Sequence, residues 1–367
     1  MSTQAEAELL AEVGHVVEEL RERVTEAERT HSYPHDLVRK LAKAGVVAAA
    51  FPREHGGLGL PYRTYLHALE RLAGAWLAVA ESVHVQVLAA VGIATHGSAP
   101  LREQLLPALL AGDLLAANCM SEPDAGSDLA AVTTSATRDG DEFVLRGTKA
   151  WVTHGGIADL YCVYCRTGGA GIGGLSCVVV DAGTPGVRPG KPERKMGVHA
   201  LPNAQIAFTG AKVPADRVLG RLNRGMLVAA TVFEHGRIGL AACAVGLADA
   251  VVSHTVAAVK ADGSLTGHQS VAFRVADLVT QVSAARALLA SAVARKESGL
   301  AFGHFAAQAK LFATDTAMRV ATDAVDLLGE AGVTDRHPAG RWLREAKLLQ
   351  IIEGTNQIQR IAIASGL

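Results

Sequence analysis

Hydrophobic and polar positions divide the chain into three textures. Residues 1 to about 112 carry apolar positions at a period near 3.6, the spacing that lays one stripe along a helix. Helices are predicted over Ala5 to Thr30, Pro34 to Gly45, Tyr62 to Ala73 and Leu101 to Ala111; the second has Pro in its first turn and Gly at its stop. From about 115 to 215 short β-rich runs take over: LLAANCM, VTTSATR, EFVLRGTKAWVT, LYCVYCR, LSCVVVDA and AQIAFTGAKV. Turns such as Asp139-Gly140-Asp141 separate them. From about 222 the pattern is helical again, Ala-rich and with few breakers. Helices, then strands, then helices predict an α+β protein in which an antiparallel β domain, a barrel or sandwich, lies between two α domains. The expected boundaries are 1–114, 115–220 and 221–367. Strands and helices do not alternate, which argues against a doubly wound sheet, and no repeat of about 20–50 residues is visible.

The C-terminal run Arg341-WLREAKLLQIIEGTNQIQRIAIASGL reads as helix. Trp342, Ala346 and Leu349 recur at i, i+4 and i+7, and the next step of the stripe lands on Glu353. A carboxylate thus falls where the pattern asks for Leu. Gly354 follows and can break the helix, opening that position to a cleft. A Glu in apolar surroundings has its pKa raised, which suits a general base near neutral pH; a Glu at a fraying helix end is the plainer alternative.

Composition narrows the classes. A chain of 367 residues, 49% hydrophobic and 19% charged, is long enough for two or three domains with a sizeable core. Net charge is −1, so non-specific nucleic-acid binding is not expected. The acidic start MSTQAEAELLAEV lacks the positive region of a signal peptide, and no apolar run reaches the roughly 18 residues of a membrane span. Five cysteines point to a reducing cytoplasm rather than a disulfide framework.

Several motifs fail on context. Thr167-GGAGIGG lies between two strand patterns, as a hairpin loop would, and not between a strand and a helix. Cys162 and Cys165 sit in one strand, where i and i+3 face opposite ways. There is no HExxH, no calcium-loop spacing and no GxSxG, so neither a metal site nor a serine nucleophile is expected.

Ligand-friendly features remain at the junctions. Met120-SEPDAGSD follows a strand and offers hydroxyls, acids and backbone N–H groups, either for the polar edge of a ring or pyrophosphate or as an ordinary turn. Trp151-VTH puts an indole and the Thr153 hydroxyl on one face, which suits stacking on an aromatic cofactor; a core Trp is the alternative. Arg237 lies one turn from Phe233 on a largely apolar helix, where a guanidinium needs a carboxylate or a ligand.

In this order these segments resemble the acyl-CoA dehydrogenase family over nearly the whole chain. Met120-SEPDAGSD is similar to its first signature, Trp151-VTH to its flavin motif, Arg194-KMGVH with Val213-PADRVLG to its second β-domain signature, and Glu353-GTNQIQR to its catalytic-Glu motif. The resemblance implies an N-terminal helical domain, a middle β domain and a C-terminal four-helix bundle. It implies non-covalent FAD, with Met120, Ser121, Ser127, Trp151, Thr153, Gln269, Thr355 and Gln357 as cofactor contacts. Glu353 would be the base, and Arg237, Ser127 and Ile352 would line the acyl group. Some members carry their base just before the arginine matching Arg237; that residue here is Gly236.

Departures matter too. The Arg-x-x-Phe-Gly motif is replaced by Ala258-VKADG and the Gln-x-x-Gly-Gly motif by Asp326-LLGEAG. Both would reach FAD on a neighbouring subunit, so the expected homo-oligomer could be a dimer or a dimer of dimers. Ile352 stands where Tyr is common. So divergent a chain resembles members that make hydroxymalonyl- and methoxymalonyl-ACP extender units for polyketides, acting on an oxygenated three-carbon thioester on ACP. An ordinary short-chain acyl-CoA α,β-dehydrogenase, a flavin monooxygenase and a non-catalytic carrier-binding paralogue stay open, as do CoA or ACP as carrier and the identity of the electron acceptor.

Overall fold

The computed structural model describes residues 2–263, 265 and 267–366. Five helices open the chain: α1 (Ser2–Thr30), α2 (His35–Lys43), α3 (Tyr62–Ala75), α4 (Leu77–His96) and α5 (Ala99–Ala111). Four match the predicted stripes. The fifth, α4, has no stripe because Leu77 through Ile93 is buried on every side. It is the central helix of the domain, packed between α3, α5, strand β1 (Ala116–Cys119) and the long helix α6 (Gly225–Ala261).

The middle domain is one eight-stranded sheet. After β1 come β2 (Ser135–Asp139), β3 (Glu142–Thr153), β4 (Leu160–Arg166), β5 (Leu175–Asp181), β6 (Val187–Pro192), β7 (Asn203–Pro214) and β8 (Val218–Leu219). Their order is β6-β7-β3-β2-β4-β5-β8, with β1 also on β4. The expectation of a purely antiparallel domain is corrected here: β4 pairs parallel with β1 and, at Ser135, with β2. Period-2 alternation shows which face a residue takes but not the direction of its neighbour. β6 is absent from the predicted strands because Pro189 and Pro192 interrupt it, which its place at the sheet edge tolerates. β4 splits its side chains between two cores. Tyr161, Val163 and Cys165 fill the domain's own interior, while Leu160, Cys162 and Tyr164 face the helices. Cys162 and Cys165 therefore point apart, and all five cysteines are free. The Gly-rich run after Arg166 is the β4–β5 connection, laced by the Arg166 guanidinium to the carbonyls of Gly169 and Gly171.

Beyond the sheet, α6 packs with α7 (Gln269–Glu297) and α8 (Gly303–Leu328). The fourth member of the expected bundle is two short helices on α8, α9 (Ala339–Leu349) and α10 (Asn356–Ala364), rather than one continuous rod. Among the described residues two helices, α4 and α6, are long and apolar enough to cross a membrane by length and composition, although neither holds an unbroken apolar run. The apolar window of α4 is 94% buried within the protein, as a core helix would be.

Candidate active site

Glu353 does not continue the α9 stripe as the sequence suggested. The helix stops at Leu349, and Glu353 (φ 52°) and Gly354 (φ 82°) are both left-handed, which no right-handed helix can absorb. For Glu this conformation is strained, and strain of this kind concentrates at functional sites. The turn is held from outside. Lys310 on α8, fully buried, donates to Gly354 O (2.9 Å) and Asn356 Oδ1 (2.8 Å). Gln359 Nε2 donates to Glu353 O (3.2 Å) and Gly354 O (2.9 Å), and the Thr355 hydroxyl caps α10 by accepting from Ile358 N (3.3 Å).

So anchored, the Glu353 carboxylate reaches α6. A Cβ placed on Gly236 would lie 2.3 Å from Glu353 Oε2 and 3.5 Å from Leu88 Cδ1 of α4. Gly236 thus leaves this position bare, and Glu353 fills the space. Burial raises the Glu353 pKa, against the pull of Lys310 and then Arg237. Arg237 is half-buried with its Nε unpartnered, and burial lowers its pKa while Glu234 and Glu353 hold it up. Lys310 is pushed down to about 8 by burial.

The α4–α6 seam continues inward. His84 packs so closely on Gly239 that a Cβ there would fall 2.0 Å from the ring. Its Nε2 donates to Gly236 O (3.1 Å) and its Nδ1 accepts from Tyr65 OH (2.9 Å), so the ring is the neutral Nε2–H tautomer, in keeping with a pKa that burial lowers to about 4.

The sheet supplies the other wall. Lys149 Nζ donates to Met120 O and to Glu122 Oε1, both at 2.9 Å. Glu122 also accepts from Thr133 N, Thr133 Oγ1 and Thr134 N, so it anchors the Met120–Asp128 loop. Ser121 O accepts from Ala150 N (2.9 Å). Trp151 is no core residue: it is 61% exposed, at φ 59°, on a bulge of β3. Asn203 Nδ2 holds the Thr153 hydroxyl at 2.9 Å. His154, next along, is fully buried between Ala116 O and Ser82 Oγ.

The structure therefore joins Glu353, Arg237 and Gly236 at one point. Met120, Ser121, Trp151 and Thr153 lie together on the β1 end and the β3 bulge, tied by Lys149 and Asn203. Ile352 is half-buried against the main core beside Glu353. Ser127, Gln269 and Gln357 are exposed, Gln269 opening α7 and Gln357 lying in the first turn of α10. Asp326, in the stretch Asp326-LLGEAG, is paired within its own chain to Arg274 Nη2 (3.1 Å). Among the described residues no His, Cys, Asp and Glu group could hold a metal. Sequence reading missed Glu81, His84, Lys149 and Lys310. Each is a polar residue inside an apolar helix or strand, and that mismatch was the available signal.

On the helix-facing side of the sheet, Asn118 Nδ2 is enclosed without a hydrogen-bond partner, and the Tyr164 hydroxyl has only the weak Cys177 thiol beside it. Tyr164 is buried, Asn118 is half-buried, and Tyr164 feels the Glu353 charge. Orphaned donors in a native interior mark a missing partner. The exposed indole of Trp151 and the enclosed amide of Asn118 are of the kinds that would suit the face and the polar edge of a flavin ring.

Such a fold and site define a flavin-dependent oxidoreductase. Residues 3–113, 117–211 and 223–367 match the N-terminal, middle and C-terminal domains of acyl-CoA dehydrogenases. The short-chain-specific acyl-CoA dehydrogenase of Megasphaera elsdenii is 36% identical over 354 residues, 94% of this chain and 92% of that one. Butyryl-CoA dehydrogenase from the same organism superposes with a TM-score of 0.96 at 34% identity, covering 99% of this chain and 97% of that one. A chain from a structural study of the electron transferring flavoprotein of Acidaminococcus fermentans gives the same TM-score, identity and coverage. The chain belongs to the acyl-CoA dehydrogenase family, whose members are FAD-dependent oxidoreductases.

Proposed function

We propose that this enzyme dehydrogenates a short acyl-CoA thioester at the α,β bond, with Glu353 as the base. The observation that carries the reading is the state of that carboxylate. It is wedged against the bare Cα of Gly236, burial raises its pKa, and only the charges of Lys310 and Arg237 oppose that rise. A carboxylate so placed takes a proton from the substrate α-carbon. FAD, which the Met120–Ser121 and Trp151–Thr153 segments would hold, would supply the two-electron acceptor for a hydride from the β-carbon, so that the Cα–Cβ single bond becomes double as the α-proton passes to Glu353. Lys310 and Gln359 fix the turn that presents Glu353, and Arg237 steadies its charge once ionised. His84, locked against Gly239, narrows the seam and supports a short acyl group.

Likeness to short-chain-specific and butyryl-CoA enzymes supports coenzyme A as the carrier and an electron-transferring flavoprotein as the acceptor. Oxidation of an oxygenated three-carbon unit on ACP is the second reading, favoured by the polar residues along the seam. FAD-loaded protein, mixed anaerobically with butyryl-CoA, should bleach its flavin and yield crotonyl-CoA. Octanoyl-CoA should act at least about tenfold more slowly, because a closed seam cannot gain from added methylenes. Faster reduction by octanoyl-CoA would defeat the short-chain reading, and reduction by a hydroxylated three-carbon acyl-ACP alone would favour the second.

A further inference from the structure

One buried acid in the seam has no part in the chemistry above. Glu81 lies on α4, seven residues before Leu88 and three before His84, so all three share the face turned to α6. Leu88 and the Glu353 carboxylate both approach Gly236; His84 meets Gly239; Glu81 lies two turns, about 10 Å, further along from Leu88. Its side chain is 6% exposed, and its Oε1 has no hydrogen-bond partner. Burying a polar atom without a partner is costly, and nothing in the packing of α4 requires a carboxyl there. The groups that act on it come from every side: Glu353 from the α9–α10 turn, Lys195 from the β6–β7 connection, Lys310 from α8 and Cys243 from α6.

We propose that Glu81 is a specificity-determining residue of the acyl pocket, placed to hydrogen-bond a hydroxyl at the distal end of a short acyl chain whose α-carbon sits at Glu353. This rests on the short-acyl reading above and adds the substituent that the substrate carries. Burial and then the Glu353 charge push the Glu81 pKa up to about 8, so near neutral pH it is a carboxylic acid, able to donate as well as accept. A neutral hydroxyl suits it better than an ammonium group, which Lys195 and Lys310 would repel. A plain alkyl chain would leave the orphan oxygen unsatisfied.

The test compares 4-hydroxybutyryl-CoA with butyryl-CoA on FAD-loaded protein. In the wild type, kcat/KM should favour the hydroxylated thioester by about 10-fold to 100-fold, the range of one buried hydrogen bond made or missed. Glu81→Leu should erase or reverse that ratio. Glu81→Gln, which keeps the size and a donor and an acceptor, should hold it within about threefold, far less than the loss of a bond. Equal kcat/KM for the two thioesters in the wild type would overturn the inference, as would an unchanged ratio in Glu81→Leu. If that variant does not fold, the wild-type ratio and the Gln variant still decide. Turnover of butyryl-CoA with a flat ratio sinks this inference alone; no flavin reduction by either thioester sinks the short-acyl reading with it.

Discussion

Glu122 and Glu353 belong to the two most distinctive motifs of the chain, and their surroundings are opposite. Glu122 accepts four hydrogen bonds, including one from Lys149, itself fully buried. Burial alone would raise its pKa, but the bonds from Thr134, Thr133 and Lys149 overcome that and hold it at about 2. Glu353 has no such donors, only the more diffuse attraction of Lys310 and Arg237, and burial pushes it the other way. A satisfied carboxylate is spent on holding the chain together; an unsatisfied one stays available for a proton. Both signatures contain a conspicuous acid, and only the hydrogen-bond inventory tells which acid is left free to take a proton.

Breaking the satisfied side should have the largest effect. Lys149→Met leaves Glu122 buried without its counter-charge and should cost about 3–5 kcal/mol of stability, read from denaturant melts. Because the folded Glu122 lies below its ordinary 4.5, the stability it adds is complete above that pH and fades as pH falls through about 2. The variant should therefore lose most at neutral pH and converge on the wild type in acid. Equal melts at pH 7 would show that the pair is not structural.

On the unsatisfied side stability and activity should separate. Glu353→Gln should cut flavin reduction by butyryl-CoA at least about 10²-fold, the scale of general-base catalysis, while the melt is unchanged or improved. Near-normal single-turnover reduction would remove Glu353 from its role. Gly236→Ala is the milder version. Its Cβ would displace the carboxylate from a 2.3 Å approach, so reduction should drop about 10-fold to 100-fold with FAD still bound. An unaffected rate would mean that the carboxylate reacts from some other position.

The same contrast explains what could be read from the sequence. Amphipathic stripes and alternating strands gave away the three domains, because each element there has one wet face. The central helix α4 has none, so its 3.6 period vanished, and Glu81 and His84 went with it. β6 was hidden by its prolines and the parallel β1–β4 pairing by the blindness of alternation to direction. At the site, the stripe through Trp342, Ala346 and Leu349 singled out Glu353 although the helix ends at Leu349, since Glu353 is brought to the apolar seam by a strained turn. Lys149 and Lys310 escaped notice because a lysine in a strand or helix looks solvated until its partners are known.

The smallest expected effect concerns how finely the unsatisfied carboxylate is poised. Glu353 must be ionised to accept a proton, so flavin reduction should rise with pH through its raised pKa. Lys310 exerts the larger opposing pull and Arg237 the smaller. Removing a nearby positive charge makes the carboxylate harder to ionise, so Arg237→Gln should move the acidic limb of the single-turnover profile to higher pH. Lys310→Gln should move it further in the same direction, but it also releases Gly354 O and Asn356 and should lower the plateau. Arg237→Gln is the cleaner measurement because none of the bonds holding the Glu353 turn comes from Arg237. A limb that stays in place, or moves to lower pH, would show that the guanidinium does not act on Glu353 through its charge and serves the acyl group alone.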